Sequence, residues 1–168
     1  MRIVADTSAL VSLGVVADRE PNPLDYLLDA HELAVPERVV SELEETAAYD
    51  DASGRAAGET LSRREQFTVR DVELDGTFPL DDGENAAVTL ANGLDAVQLL
   101  CDEFNRIGLV HASLTGTRLV TTPSLLVALS RAGALAAPEV EALLDEISDA
   151  RSWDGNAYVA RARETLGS

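Results

Sequence analysis

Lysine is absent from this chain, and all 13 basic residues among its 168 are arginine. The absence excludes whole chemistries. A Walker-type P-loop needs a lysine on the phosphates, and Schiff-base catalysis needs an amine nucleophile. A receiver domain of the two-component kind is expected to carry a lysine after its last strand. Cysteine is nearly absent as well: Cys101 stands alone, so no internal disulfide is available. Aromatic residues make up only 4%, so the core must come from the Val, Leu, Ile and Ala of a 46% hydrophobic chain. No apolar run reaches the roughly 18 residues of a membrane-spanning helix. Met1-Arg2-Ile3-Val4 opens straight into a strand-like run with no signal-peptide pattern. A cytoplasmic protein is expected.

Acid is what the chain has in excess. Thirty Asp and Glu residues outweigh the arginines, for a formal charge of −17. One reading is a surface adapted to a halophile's cytoplasm, since at about 1 M salt charges are screened within roughly 3 Å. The other is an acidic protein that repels or mimics nucleic acid. Screening of that strength removes long-range repulsion, so the net charge does not exclude a nucleic-acid substrate. The length favours one domain. A chain of this size buries about two-thirds of its unfolded surface, and its hydrophobic content argues against disorder.

Short apolar runs alternate with helical patterns. Arg2–Ala5, Glu32–Val35, Gln66–Arg70, Asp95–Cys101 and Arg118–Thr121 read as strands, with Gln66–Arg70 at an edge. Between them, helices are predicted over Thr7–Val16, Leu24–Ala30, Pro36–Ala48, a charged stretch ending at Arg64, Gly83–Ala91, and from Asp102 to about Ala112. Three more follow: one capped by Thr122 with Pro123 in first position, one from Ala137 to Ala150, and one capped by Asp154 and ending at Leu166. The alternation predicts an α/β fold, a mostly parallel sheet covered by helices on both faces.

Ligands of such sheets bind beyond the carboxyl ends of the strands. Asp6 and Asp102 sit at two of those ends, each at the start of the next predicted helix. Asp is a favoured N-cap, so capping and chemistry are both open for each. Glu84 completes a capping-box pattern with Asp81. It also shares a helical face with Ala87, Val88 and Ala91, where a buried carboxylate needs a partner such as a metal ion. Glu42 and Glu44 flank the Val39, Leu43, Ala47 stripe on opposite sides, and periodicity does not choose between them. Four carboxylates at one mouth would form a hard-oxygen site for Mg²⁺ or Mn²⁺, suited to phosphodiester hydrolysis without a side-chain nucleophile.

These blocks resemble a known family. Met1-Arg2-Ile3-Val4-Ala5-Asp6-Thr7-Ser8 resembles the opening of a PIN-domain nuclease, VapC-like or related. Val35 to Leu43, Leu80 to Ala91, Leu99 to Glu103 and Leu119 to Leu126 resemble its later blocks, in order, across residues 1–135. The resemblance implies a three-layer α/β/α fold and a metal-dependent ribonuclease, often the toxin of a toxin–antitoxin pair. Carried over by position, Asp6, Glu42, Glu84 and Asp102 form the acidic quartet that holds Mg²⁺ or Mn²⁺. Glu103 is an added ligand, and Ser8 supports Asp6 or a metal-bound water. RNA as substrate, an antitoxin partner and a homodimer are the associations implied.

The chain departs from the family in two places. Phe104-Asn105-Arg106 replaces a small, basic helix start. Residues 136–168 form an extra helical extension, expected to pack on the same domain, where Trp153 and Tyr158 accompany Arg151, Arg161 and Arg163. These residues either pack the last helix or form an arginine–aromatic surface for RNA or a partner. His31 and His111 are isolated and are assigned no metal, and Cys101 is expected to be inert. Two further functional readings stand beside the ribonuclease: a non-catalytic PIN-fold interaction module, and a nuclease acting on structured DNA.

Overall fold

The computed structural model describes residues 1–168. Its strands are β1 (Arg2–Ala5), β2 (Glu32–Pro36), β3 (Thr68–Arg70), β4 (Gln98–Leu100) and β5 (Arg118–Val120). Its helices are α1 (Thr7–Gly14), α2 (Pro23–Ala30), α3 (Glu37–Ala47), α4 (Ala52–Leu61), α5 (Asp82–Gly93), α6 (Ile107–Ser113), α7 (Thr122–Arg131), α8 (Ala137–Arg151) and α9 (Ala157–Leu166). All five strands run parallel in the order β3-β2-β1-β4-β5.

A parallel sheet covered on both faces needs apolar residues on both faces of each strand, and the strands supply them. Ile3, Ala5, Leu33, Val35 and Leu100 face the larger core, which α1, α2, α3, α4, α7 and α8 close. Val4, Ala34, Leu99 and Cys101 face the smaller one, under α5 and α6. The result is the three-layer α/β/α arrangement. Helix α8 joins the larger core through Val140, Leu143, Leu144 and Ile147, a spacing that lines up one helical face. At roughly 1.5–3 kcal/mol for each fully buried side chain, that stripe alone fixes the helix to the domain.

Several sequence expectations shift in detail. Strand β4 is shorter than predicted, since Asp95 has a positive φ of 49° and Val97 is exposed. Pro36 ends β2 and precedes α3 in extended conformation instead of opening the helix. Thr121, not Thr122, caps α7, accepting from the Ser124 N–H. Asn156 replaces Asp154 as the cap of α9, accepting from Tyr158 and Val159 N–H, because left-handed turns at Ser152 and Gly155 carry the chain past Asp154. No helix starts at Asp102. A single 3-10 turn, Phe104–Arg106, precedes α6.

Candidate active site

The order of the strands reverses at β1, which pairs with β2 on one side and β4 on the other. Ala5 lies opposite Leu100, and the Asp6 N–H donates to the Leu100 carbonyl at 3.0 Å. Asp6 and Asp102 therefore emerge beside each other at the switch point, where open α/β sheets place their ligands.

Asp6 is 4% exposed and caps α1: its Oδ1 accepts from the Ala9 N–H at 3.1 Å and from the Ser8 hydroxyl at 2.7 Å. No nitrogen or oxygen donor of the chain binds its Oδ2. The same Ser8 oxygen accepts from the Asp102 N–H at 2.9 Å, so one buried hydroxyl ties the two strand ends together. The Ser8 hydroxyl thus bonds both the Asp6 carboxylate and the backbone of Asp102.

Asp102, 5% exposed, does not open its own helix. Its Oδ1 accepts from the Thr122 N–H at 2.7 Å and its Oδ2 from the Thr122 hydroxyl at 2.6 Å. It serves the first turn of α7, a different element, and meets the positive end of that helix dipole. A carboxylate contacting the next strand's helix leaves no periodic signal in the sequence. Thr122 was legible as a helix-start residue but not as the partner of Asp102.

Glu42 approaches from α3. Its Oε1 accepts from the Thr7 hydroxyl at 2.8 Å, next to Asp6. Its carboxylate also lies against Gly83 in the first turn of α5, where a Cβ would overlap it. Glu44 instead pairs with Arg64 on the surface. Glu84, 4% exposed, completes the capping box with Asp81. Its buried charge is met by Arg106, whose Nε donates to both carboxylate oxygens at 2.8 and 3.0 Å. The sequence pattern suggests a metal ion as this partner, whereas the chain itself supplies a guanidinium. The signal was present, since Arg106 lies in the segment that departs from the family.

Burial dominates the electrostatics. It pushes Asp6 from its ordinary 3.8 up to about 7, with the neighbouring Asp102 charge adding to the rise and the Ser8 and Ala9 bonds opposing it. Burial also raises Asp102, against the bonds from Thr122 and the charge of Arg151. Half-buried Glu42 is raised by burial, against the Thr7 bond. Glu103 is raised by burial and then by the charges of Glu84 and Asp81. Arg151 ends α8, and its buried Nε has no partner. The Cys101 thiol, 1% exposed, is driven upward by burial and by Asp6, so it stays protonated and inert.

The donor set fits a hydrated divalent cation better than a closed protein cage. No three Asp, Glu, His or Cys side chains stand close enough together to hold an ion directly. Mg²⁺ usually keeps several waters and takes one or two carboxylates. Asp6 and Asp102 offer such a pair, since a carboxylate with one hydrogen bond on an oxygen retains further acceptor capacity.

A PIN-domain family model matches residues 2–168. The chain belongs to the PIN-domain family. No curated protein matches it significantly. Among solved structures, the PIN domain is similar to a crystal structure of VapBC2 from Rickettsia felis bound to a DNA fragment from their promoter. The TM-score is 0.50 at 12% identity, over 72% of this chain and 98% of that one. At that identity the likeness concerns the fold alone.

The remaining residues singled out in the sequence find ordinary places. His31 lies by the N-terminus, 3.5 Å from the Met1 amine, and His111 falls in the last turn of α6. Trp153 and Tyr158 both pack on Phe104, at ring-centroid distances of 5.1 and 4.9 Å. Arg163 is ion-paired with Glu141 and Asp145. Packing thus accounts for the aromatics of the tail, and no helix of the chain is long and apolar enough to cross a membrane.

Proposed function

We propose that this PIN domain is a divalent-metal-dependent endoribonuclease. The observation that carries the proposal is the buried pair Asp6 and Asp102, joined through Ser8 at the switch point of the sheet. Burying two neighbouring carboxylates is costly without a cation, and the site keeps both. Asp6 and Asp102 would hold Mg²⁺ or Mn²⁺, with Glu42, Glu84 and Glu103 around its water shell. When bound, such an ion acidifies water and stabilises charge on the phosphate in in-line hydrolysis. The chain's own part is positional. Ser8 and Ala9 fix Asp6, Thr122 fixes Asp102, and Thr7 holds Glu42 toward the same mouth. Cleavage of labelled RNA and DNA hairpins with Mg²⁺, Mn²⁺ or EDTA tests the reading. RNA cleavage abolished by EDTA, by Asp6→Asn and by Asp102→Asn supports it. Unchanged cleavage in those variants sinks the site, and cleavage of DNA alone sinks the choice of substrate.

The likeness to the VapBC2 structure motivates a biological setting for the same activity: a cytoplasmic toxin held by an antitoxin. A short neighbouring reading frame whose product blocks cleavage would support that setting. The Arg106–Glu84 pair favours a second reading, a PIN fold retained as a non-catalytic interaction module, because a guanidinium already neutralises one acid of the quartet. Calorimetric Mn²⁺ titration separates the two, since the module takes up no metal.

A further inference from the structure

Carboxylates outnumber arginines by 30 to 13 in this chain, so an arginine without a carboxylate partner is informative. Seven of the thirteen arginines are ion-paired: Arg2, Arg19, Arg38, Arg63, Arg64, Arg106 and Arg163. Of the remaining six, Arg118, Arg131 and Arg161 line one cavity of about 910 Å³. All three are exposed. His111 adds a fourth nitrogen base to the wall. None of the fifteen lining residues is Asp or Glu. With 30 acids among 168 residues, fifteen positions drawn at random would hold about two or three.

The walls of this groove come from four elements. Helix α6 supplies His111, β5 supplies Arg118, α7 supplies Arg131, and α9 of the C-terminal extension supplies Tyr158 and Arg161. Helix α9 contributes four of the fifteen lining residues, Tyr158, Arg161, Ala162 and Thr165. It also adjoins the acidic mouth. Thr121 lines it and precedes Thr122, the residue that holds Asp102. Tyr158 lines it and stacks on Phe104, two residues beyond Asp102.

We infer that this groove binds the phosphodiester backbone of the single-stranded RNA substrate and leads it to Asp6 and Asp102, with Arg118, Arg131 and Arg161 each meeting a phosphate. The inference rests on the nuclease reading for the direction of the strand but not for the binding. Guanidinium groups pair with phosphate in fork geometry, and an unpaired, acid-free set spares the strand from competing carboxylates. A polyanion gains there what the −17 of the whole surface denies it elsewhere. The extension's role is then to complete the substrate path.

The test is fluorescence anisotropy of a labelled twelve-nucleotide RNA in EDTA, across a salt series in which circular dichroism shows each protein folded. The proteins are wild type, the triple variant Arg118→Gln/Arg131→Gln/Arg161→Gln, the control Arg55→Gln/Arg70→Gln, and Asp6→Asn/Asp102→Asn. Three phosphate contacts on a single strand contribute about 2 to the slope of log K against log salt. The triple variant should lose that much slope and bind at least tenfold more weakly at low salt, while the control binds within about twofold of wild type. Equal binding by the triple variant and wild type overturns the inference. So does an equal loss in the control, no RNA binding by wild type, or tighter binding of a poly-glutamate peptide than of RNA. The Asp variant separates the two readings. If it binds RNA as wild type does while no protein cleaves under any metal, the groove stands and the nuclease falls. If wild type cleaves and the triple variant binds and cleaves equally, the groove alone falls.

Discussion

Arg106 donates through Nε to both oxygens of Glu84, and through Nη2 to the Pro79 carbonyl at 3.0 Å, so the guanidinium bridges the start of α5 to the loop before it. Glu84 thereby carries a compensating charge in its buried position at the edge of the acidic mouth. A divalent ion drawing on Glu84 would have to share it with this guanidinium. Replacing Arg106 by Gln removes the competitor and leaves a buried carboxylate without its cation. The variant should melt a few degrees below wild type in EDTA, and its Mn²⁺ affinity should rise about tenfold, the scale of groups that tune a metal's ligands. Calorimetric titration and thermal melts with and without Mn²⁺ check both halves. Weaker Mn²⁺ binding in the variant would show that Arg106 orients Glu84 rather than competing for it.

Asp6 makes stability depend on pH. An exposed aspartate in the unfolded chain ionises near 3.8, whereas in the fold Asp6 holds its proton to about 7. Between those values the folded state binds more protons, so stability falls as pH rises through that window and then levels off. The total is on the order of 4 kcal/mol. Asp6→Asn keeps a favoured cap residue and cannot ionise. In EDTA it should exceed wild type by at least about 1 kcal/mol at pH 8 and approach it at pH 4.5. Urea midpoints at the two pH values measure this, and an equal difference at both would refute the burial argument.

The fold was legible because its signals are local and repetitive. Strands such as Arg2–Ala5 and helix faces such as Val39 and Leu43 follow period and punctuation. Asp6 and Asp102 stand out in the sequence as acids at strand ends, and Glu84 as an acid on an apolar helical face, whereas periodicity does not separate Glu42 from Glu44 and only the family resemblance picks Glu42. Their partners were not legible. Ser8 joining Asp6 to the Asp102 backbone, and Thr122 bonding Asp102, cross 94 and 20 residues of sequence. The Glu84–Arg106 pair spans 22. Only packing of the sheet and its helices creates such contacts. The tail arginines show the same limit. Arg161 and Arg163 look alike in sequence, yet one lines an acid-free groove and the other is locked to Glu141 and Asp145.

Two glycines separate site geometry from stability. A Cβ on Gly83 would first meet the carboxylate end of Glu42, a flexible group that can swing away. A Cβ on Gly14 would meet the backbone carbonyl of Ala56 in α4, which cannot. Gly14→Ala should therefore destabilise by roughly 1–3 kcal/mol, the range for overpacking. Gly83→Ala should stay within about 1 kcal/mol of wild type, because helix propensity favours Ala. It should nonetheless lose at least tenfold in RNA cleavage as Glu42 leaves its place beside Thr7. Denaturation and cleavage rates on the same preparations test the split, and a Gly83→Ala protein with full activity would remove Glu42 from the site.

Leu144 tests whether the C-terminal extension is part of the domain's core. It is fully buried on α8, within the cluster that includes Leu10 and Leu126. If α8 were only laid on a finished domain, truncating one of its side chains would loosen the tail and leave the rest of the chain at wild-type stability. If α8 completes the core, the loss is global and two-state. Leu144→Ala removes buried methyl groups and leaves a cavity, at about 2–5 kcal/mol. Hydrogen exchange should then show the loss in β1 and α1 as well as in α8 and α9. Exchange that accelerates in α8 and α9 alone would mean that the extension unfolds separately, and the groove it walls would open without unfolding the acidic site.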